Sequence, residues 1–191
     1  MILEVVKYGH PALRKKGERI EKITPEIKKL IEDMLETMYA AKGVGLAAQQ
    51  IGRALQLTVV DVRGATDRPS TLEIDGKEAS VETFMPVALI NPEIKPVGDP
   101  VAGPEGCLSF PEIFADITRP SMSVVRALNQ KGEQIEFHCG GLLARAIQHE
   151  IDHLNGILFI DRMKRADKEE LKPELDALQA TTKEALKKAK A

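Results

Sequence analysis

Two histidines four residues apart, with a glutamate directly after the first, stand in the stretch His149-Glu150-Ile151-Asp152-His153. On a helix that spacing puts both imidazoles on one face, where they can grip a single metal ion. Glu150 lies about 100° round the helix from His149, placed to reach a water held by the metal rather than the metal itself. Two imidazoles alone hold an ion poorly, so a further ligand must come from His10, His138, Cys107, Cys139 or a carboxylate. Cys107 is the best of these. It sits in Pro104-Glu105-Gly106-Cys107-Leu108-Ser109, where Gly106 permits close backbone approach and Ser109 and Pro111 mark a turn or strand end. Its distance along the chain from His149 excludes a local finger-type site but suits ligands on separate elements of one core. A thiolate with two imidazoles leaves one tetrahedral position open, as in catalytic rather than structural sites. Cys139 reads more simply as a small buried residue.

With Leu142 taken as zero on the same helix, Ala146 falls at about 40°, His149 at about −20° and His153 at about 20°. Leu142 and Ala146 are therefore expected to line a small apolar wall beside the metal. Further upstream, Gly43-Val44-Gly45-Leu46-Ala47-Ala48-Gln49-Gln50 pairs glycines with small apolar residues. It lacks the lysine of a phosphate loop and the glycine spacing of a dinucleotide site. Such a segment can run its backbone close beside a peptide and present a glutamine amide to a developing oxyanion.

The elements that must position these groups follow from periodicity. Ile27, Leu30, Ile31, Met34, Leu35 and Met38 form the stripe of an amphipathic helix from Thr24 to Ala41, with Thr24 as N-cap and Pro25 in the first turn. Leu57–Val62 reads as a buried strand. Residues 64–86 read as an excursion holding a short hairpin. Val87–Asn91 and Ile94–Val97 read as short strands separated by Pro92, and Met122–Leu128 with Gln134–His138 as a hairpin. Gly140-Gly141 opens a helix from Leu142 to Leu154 that Asn155-Gly156 ends with a left-handed cap. Ile157–Ile160 reads as another buried strand. The polar tail carries a weak leucine stripe, and Pro173 marks a kink or a fresh start. The fold class expected is α+β: short antiparallel or mixed sheets around a central helix bearing the histidines, with a C-terminal helix. Residues 1–165 are expected to form one catalytic domain, with 166–191 a polar helical tail packed on it or extending from it.

Composition narrows the function classes. The 191 residues carry 27 Lys+Arg against 29 Asp+Glu, a net charge of −2, which argues against direct nucleic-acid readout. No run of about 18 apolar residues is present to span a membrane. The stretch Met1-Ile2-Leu3-Glu4-Val5-Val6-Lys7 lacks the features of a signal peptide, so a cytoplasmic location is expected. Two cysteines in a chain of this size need form no disulfide.

Taken in order, Gly43–Gln50, Glu105-Gly106-Cys107-Leu108-Ser109 and His149–His153 resemble the three signature motifs of the peptide deformylases. His10-Pro11-Ala12-Leu13-Arg14 resembles that family's opening segment, so the likeness covers residues 1–165. The resemblance implies an enzyme that removes the formyl group from the N-terminal formylmethionine of new polypeptides and releases formate. It implies Cys107, His149 and His153 as metal ligands and Glu150 as general acid/base. Gln50 and the backbone N–H of Leu108 would stabilise the oxyanion, Gly45 would pair with the substrate backbone, and Val44 and Leu142 would line the methionine pocket. It favours Fe2+ in the cell, although the donor set also suits Zn2+, Ni2+ or Co2+. Similarity to bacterial relatives further implies ribosome association through the lysine-rich tail. The excursion at 64–86 lengthens the gap between the first two motifs, and Phe114 and Arg145 fall near the substrate groove, where the family varies. Two other readings share parts of this pattern: a zinc endopeptidase, through the His-Glu-x-x-His helix, and a catalytically silent, metal-stabilised module that docks through residues 163–191.

Overall fold

The computed structural model describes residues 1–191. Its strands are β1 (Gly45–Ala47), β2 (Leu57–Val60), β3 (Ser70–Ile74), β4 (Lys77–Glu78), β5 (Val87–Cys107), β6 (Phe110–Leu128) and β7 (Gln134–Gly140). The helices are α1 (Pro25–Ala40), α2 (Val81–Phe84), α3 (Gly141–Leu154) and α4 (Arg165–Lys188). The α+β class holds, with the strands joined in one antiparallel sheet of seven, ordered β1-β2-β5-β6-β7-β3-β4, rather than in several short ones. Peptide groups at the N-terminus of α1 are met as its sequence requires: Thr24 Oγ accepts from Ile27 N–H at 3.3 Å, and Pro25 follows in the first turn. Its Met34 and Met38 pack with Leu46, Leu57 and Val59 of β1 and β2.

Helix α3 is buried along its whole length from Leu142 to Leu154. Its first free N–H groups are taken by the excursion, Leu142 N–H donating to Pro69 O at 3.0 Å and Leu143 N–H to Ser70 Oγ at 3.0 Å. A side chain at Gly141, whose φ is +65°, would lie 2.2 Å from Pro69 O, so this junction needs glycine. The excursion is thus a structural cap on α3: it contains the β3–β4 hairpin and α2, and β3 pairs with β7.

Three expectations are corrected. The two strands set apart by Pro92 are one, because the β5–β6 register shifts between Ile90 and Glu93, where the missing proline N–H is not required by the ladder. That strand continues to Cys107 and turns through Leu108-Ser109 into β6, which begins at Phe110 rather than near Met122. Residues 157–160 are not a strand. They lead into a 3-10 turn at Phe159–Asp161, and Leu158, Phe159 and Ile160 pack with Leu13 and Phe110. A short apolar run does not reveal its conformation by periodicity alone. Helix α4 continues through Pro173, which neither starts nor ends it.

Only Leu175 of α4 is buried, at 5% exposure, with Leu171 and Leu178 beside it against the cluster of Leu13, Phe110 and Phe159. The outer face carries i,i+4 pairs such as Lys172–Asp176, which contribute little. Leu175→Ala is therefore expected to cost about 2–4 kcal/mol, read as a lower urea midpoint. Limited proteolysis should then cut α4 before the rest of the chain.

Candidate active site

The tight turn after β5 and one face of α3 meet at the centre of the molecule. Cys107 Sγ lies 3.3 Å from His153 Nε2, and one donor atom from each of Cys107, His149 and His153 falls within 4.8 Å of the others. His149 Nδ1 is 2.9 Å from Glu105 Oε1. A carboxylate can only accept, so Nδ1 carries the proton and Nε2 keeps its lone pair for the cluster. Burial holds His153 well below the ordinary imidazole range, leaving that ring neutral, whereas Cys107 and Glu105 outweigh burial at His149 and hold it well above that range until an ion takes its lone pair. One sulfur and two imidazoles form a set suited to a borderline-soft divalent ion. The other candidates are elsewhere: His10 caps the turn at Pro11–Arg14, His138 is exposed on β7, and Cys139 packs in the core.

Glu105 is the hub of a buried charge network. Its oxygens accept from Arg119 Nε at 2.6 Å, from Arg119 Nη2 at 2.9 Å and from Arg145 Nη1 at 2.8 Å, besides the His149 ring. Burial opposes its ionisation, yet His149 and Arg119 hold its carboxyl well below the usual carboxylate range. Arg119 also donates to Asp152 Oδ2 at 2.9 Å, and Asp152 in turn accepts from Arg162. Sequence reasoning missed this network: Glu105, Arg119, Asp152 and Arg162 are far apart in the chain and follow no spacing rule. Arg145, placed near the groove by resemblance, does line the cavity, but its guanidinium is fixed by Glu105, Ile117 O at 2.7 Å and Val101 O at 2.8 Å.

Gln50 and Gln49 separate by role. Gln49 donates to Leu154 O at 3.3 Å, at the C-terminus of α3. Gln50 Oε1 accepts from Ala47 N–H at 2.9 Å, which turns its amide nitrogen toward Ser109 Oγ at 3.3 Å and Cys107 Sγ at 3.5 Å. Leu108 N–H, in the same turn, makes no hydrogen bond within the fold. Glu150 Oε2 is buried without a partner, and burial pushes this carboxyl up to about 7. A side chain at Gly45 would lie 2.4 Å from Glu150 Oε1, so the glycine makes room for the carboxylate.

A cavity of about 600 Å³ opens over these groups. Nine of the expected site residues line it: Val44, Gly45, Gln50, Cys107, Leu108, Leu142, Ala146, His149 and Glu150. His153 does not; it lies beneath at 1% exposure and reaches the cluster through the sulfur side. Phe114, 68% exposed, stands at the rim. A donor set able to hold an ion, a carboxylate beside it, and two N–H donors at the same cavity are groups that together could serve hydrolysis of a small amide.

Comparison with known proteins agrees. The polypeptide deformylase family matches residues 2–169. A peptide deformylase of Opitutus terrae is 46% identical over 189 residues, covering 98% of each chain. One from Methylacidiphilum infernorum is 47% identical over 178 residues, covering 93% of each. Among solved structures, a peptide deformylase from Synechococcus elongatus in complex with actinonin superposes with a TM-score of 0.77 at 37% identity, over 90% of this chain and 85% of that one. The Thermotoga maritima peptide deformylase gives 0.73 at 40% identity, over 86% and 99%.

The two cysteines differ in a measurable way. Burial pushes the Cys139 thiol up to about 12, so below that pH it stays protonated and is a poor nucleophile. Titration of the folded, chelator-treated protein with a thiol reagent at pH 8 should count one reactive cysteine, Cys107, and a second only after denaturation.

Proposed function

The chain belongs to the polypeptide deformylase family, and on that premise we propose that Cys107, His149 and His153 hold its divalent ion and that Glu150 moves the proton. The reaction is metal-dependent hydrolysis of the N-formyl group from the N-terminal formylmethionine of nascent polypeptides. The observation that carries the residue assignment is the convergence of one sulfur and two imidazole nitrogens within 4.8 Å beside the unpartnered oxygen of Glu150.

When bound, the ion supplies Lewis-acid polarisation of the carbonyl and acidification of the attacking water. Val44, Leu142 and Ala146 take the methionine side chain against the apolar wall, and Gly45 lets the substrate backbone approach without displacing Glu150. Glu150 accepts the proton of the water that attacks the formyl carbon and returns it to the departing amine, so the C–N bond breaks to give formate and a free N-terminus. Gln50 Nε2 and Leu108 N–H meet the negative charge that develops on the carbonyl oxygen. His149 is kept in the donor-ready tautomer by Glu105.

For the ion we propose Fe2+, which the family resemblance favours over Zn2+, Ni2+ and Co2+; the donor set suits all four. For the domains, residues 1–165 hold every site residue, and α4 is an addition anchored by Leu175. Beyond Leu178 the chain carries Lys183, Lys187, Lys188 and Lys190 against one acid, Glu184, a surface suited to the ribosome. No helix is long and apolar enough to cross a membrane, and we assign the protein to the cytoplasm, where nascent chains emerge.

Protein purified without oxygen should contain about one iron per chain by elemental analysis. It should release formate from a formyl-Met peptide and leave the unformylated counterpart uncut. Chelation should abolish activity before it unfolds the chain. Glu150→Gln should lower kcat at least about 10²-fold with metal content retained. Gln50→Ala should lower kcat by about 10²-fold; a change confined to KM would make it a binding residue only. Truncation after Leu178, which leaves the packed leucines in place, should reduce co-sedimentation with ribosomes, and unchanged co-sedimentation removes the ribosome assignment.

A further inference from the structure

The excursion that caps α3 also places a charge at the cavity. Pro69 and Ser70 are bonded to the first turn of α3, and the preceding residue, Arg68, lines the cavity mouth beside Leu142. It is half-buried, and its guanidinium makes no hydrogen bond or ion pair with the rest of the chain. Lys42 is a second such cation. From Gly45 outward the chain goes from buried through half-buried Val44 and Gly43 to exposed Lys42, in the turn that closes α1. Lys42 also lines the cavity and has no side-chain partner. Lys7 adds a third positive charge, tied to Val5 O at 3.0 Å and Leu108 O at 3.3 Å. Of the acids that line the cavity, Glu105 is balanced by Arg145 and Glu150 is buried at the centre, which leaves Glu112 as the exposed one.

We propose that Lys42 and Arg68 form a cationic rim that selects nascent chains by charge, favouring acidic side chains in the residues directly after the formylmethionine and disfavouring basic ones. This rests on the deformylase reading of the site. With the methionine against Val44, Leu142 and Ala146, an extended substrate that follows Gly45 toward Lys42 brings its next side chains to the rim. Two exposed or half-exposed charge interactions of ordinary strength give about a five- to tenfold spread between a carboxylate and an ammonium at that place. The rim is remote from the formyl carbon, so it holds ground state and transition state alike and the effect belongs in KM.

The test compares formyl-Met-Glu-Ser-amide, formyl-Met-Gln-Ser-amide and formyl-Met-Lys-Ser-amide on the metal-loaded enzyme by formate release; the amide removes the terminal carboxylate. At low salt, kcat/KM should fall in that order, carried by KM, and the spread should shrink below about twofold at 1 M salt, where the Debye length is about 3 Å. Lys42→Gln with Arg68→Gln should abolish the order, and Lys42→Glu with Arg68→Glu should reverse it. Equal kcat/KM for the three peptides, or an order that survives both double variants, overturns the rim while the deformylase reading stands. No formate from any of the three overturns both.

Discussion

A helix buried on every side that nevertheless carries Arg145, Gln148, His149, Glu150, Asp152 and His153 is the constraint on which this molecule is built. Buried polar groups cost several kcal/mol each unless partnered, and buried charges more. Strands β5 and β6 are long because they must bring those partners. Glu105 comes from the last turn of β5, Arg119 from the middle of β6, and the carbonyls of Val101, Ile117 and Pro120 from between them. Two carboxylates, Glu105 and Asp152, are set among three guanidiniums, so the shell has one positive charge in excess beside the sulfur and the Glu150 carboxylate. Removal of a single member would leave its partners charged and unpaired, a loss on the order of 3–5 kcal/mol.

The second constraint is registration between elements that are remote in sequence. The N-terminal segment runs beside both proposed oxyanion donors: Val6 N–H donates to Gln50 O at 2.8 Å and Tyr8 N–H to Ser109 O, next to Leu108, at 3.0 Å. Gln50 is fixed again from its side chain by Ala47 N–H. The turn after Cys107 and the turn before Gln50 are therefore held by one extended strip of chain, and neither donor can move without the other. Gly45 completes the arrangement, because a β-carbon there would occupy the space of the Glu150 carboxylate.

The sequence made the reactive residues legible because their chemistry restricts them to few types at fixed spacings. The histidine pair on α3 could be read from the period of a helix alone, and the apolar wall of Leu142 and Ala146 followed from the same angles. Resemblance then supplied Gln50 and Leu108. What supports them was not legible. Nothing about Arg119 or Asp152 in the chain distinguishes them from surface charges, since their role comes from pairing across β6 and α3. The strands failed where proline was taken as punctuation: Pro92 lies at a register shift of β5, where tertiary pairing outweighs local propensity. The short hairpin expected in the excursion is present as β3 and β4, but its capping of α3 through Pro69 O and Ser70 Oγ follows from no local pattern.

The distribution of unmet hydrogen-bonding capacity explains why so rigid a shell can still react. The rigid groups around the centre are committed: Glu105 meets two guanidiniums and a ring, and the Arg119 guanidinium spans two carboxylates. Two of the few buried polar atoms left without a partner, Glu150 Oε2 and His153 Nδ1, belong to α3 residues beside the sulfur. A fold that satisfies nearly every other charge on α3 and leaves a carboxylate oxygen unmatched holds that oxygen at a cost of roughly 1–3 kcal/mol in desolvation. That cost is offset when a water, an ion or a substrate N–H meets it, so the free energy of binding is directed to the atom to which we assign the proton transfer. The rigidity of the surrounding network is what prevents the carboxylate from finding a partner inside the protein instead.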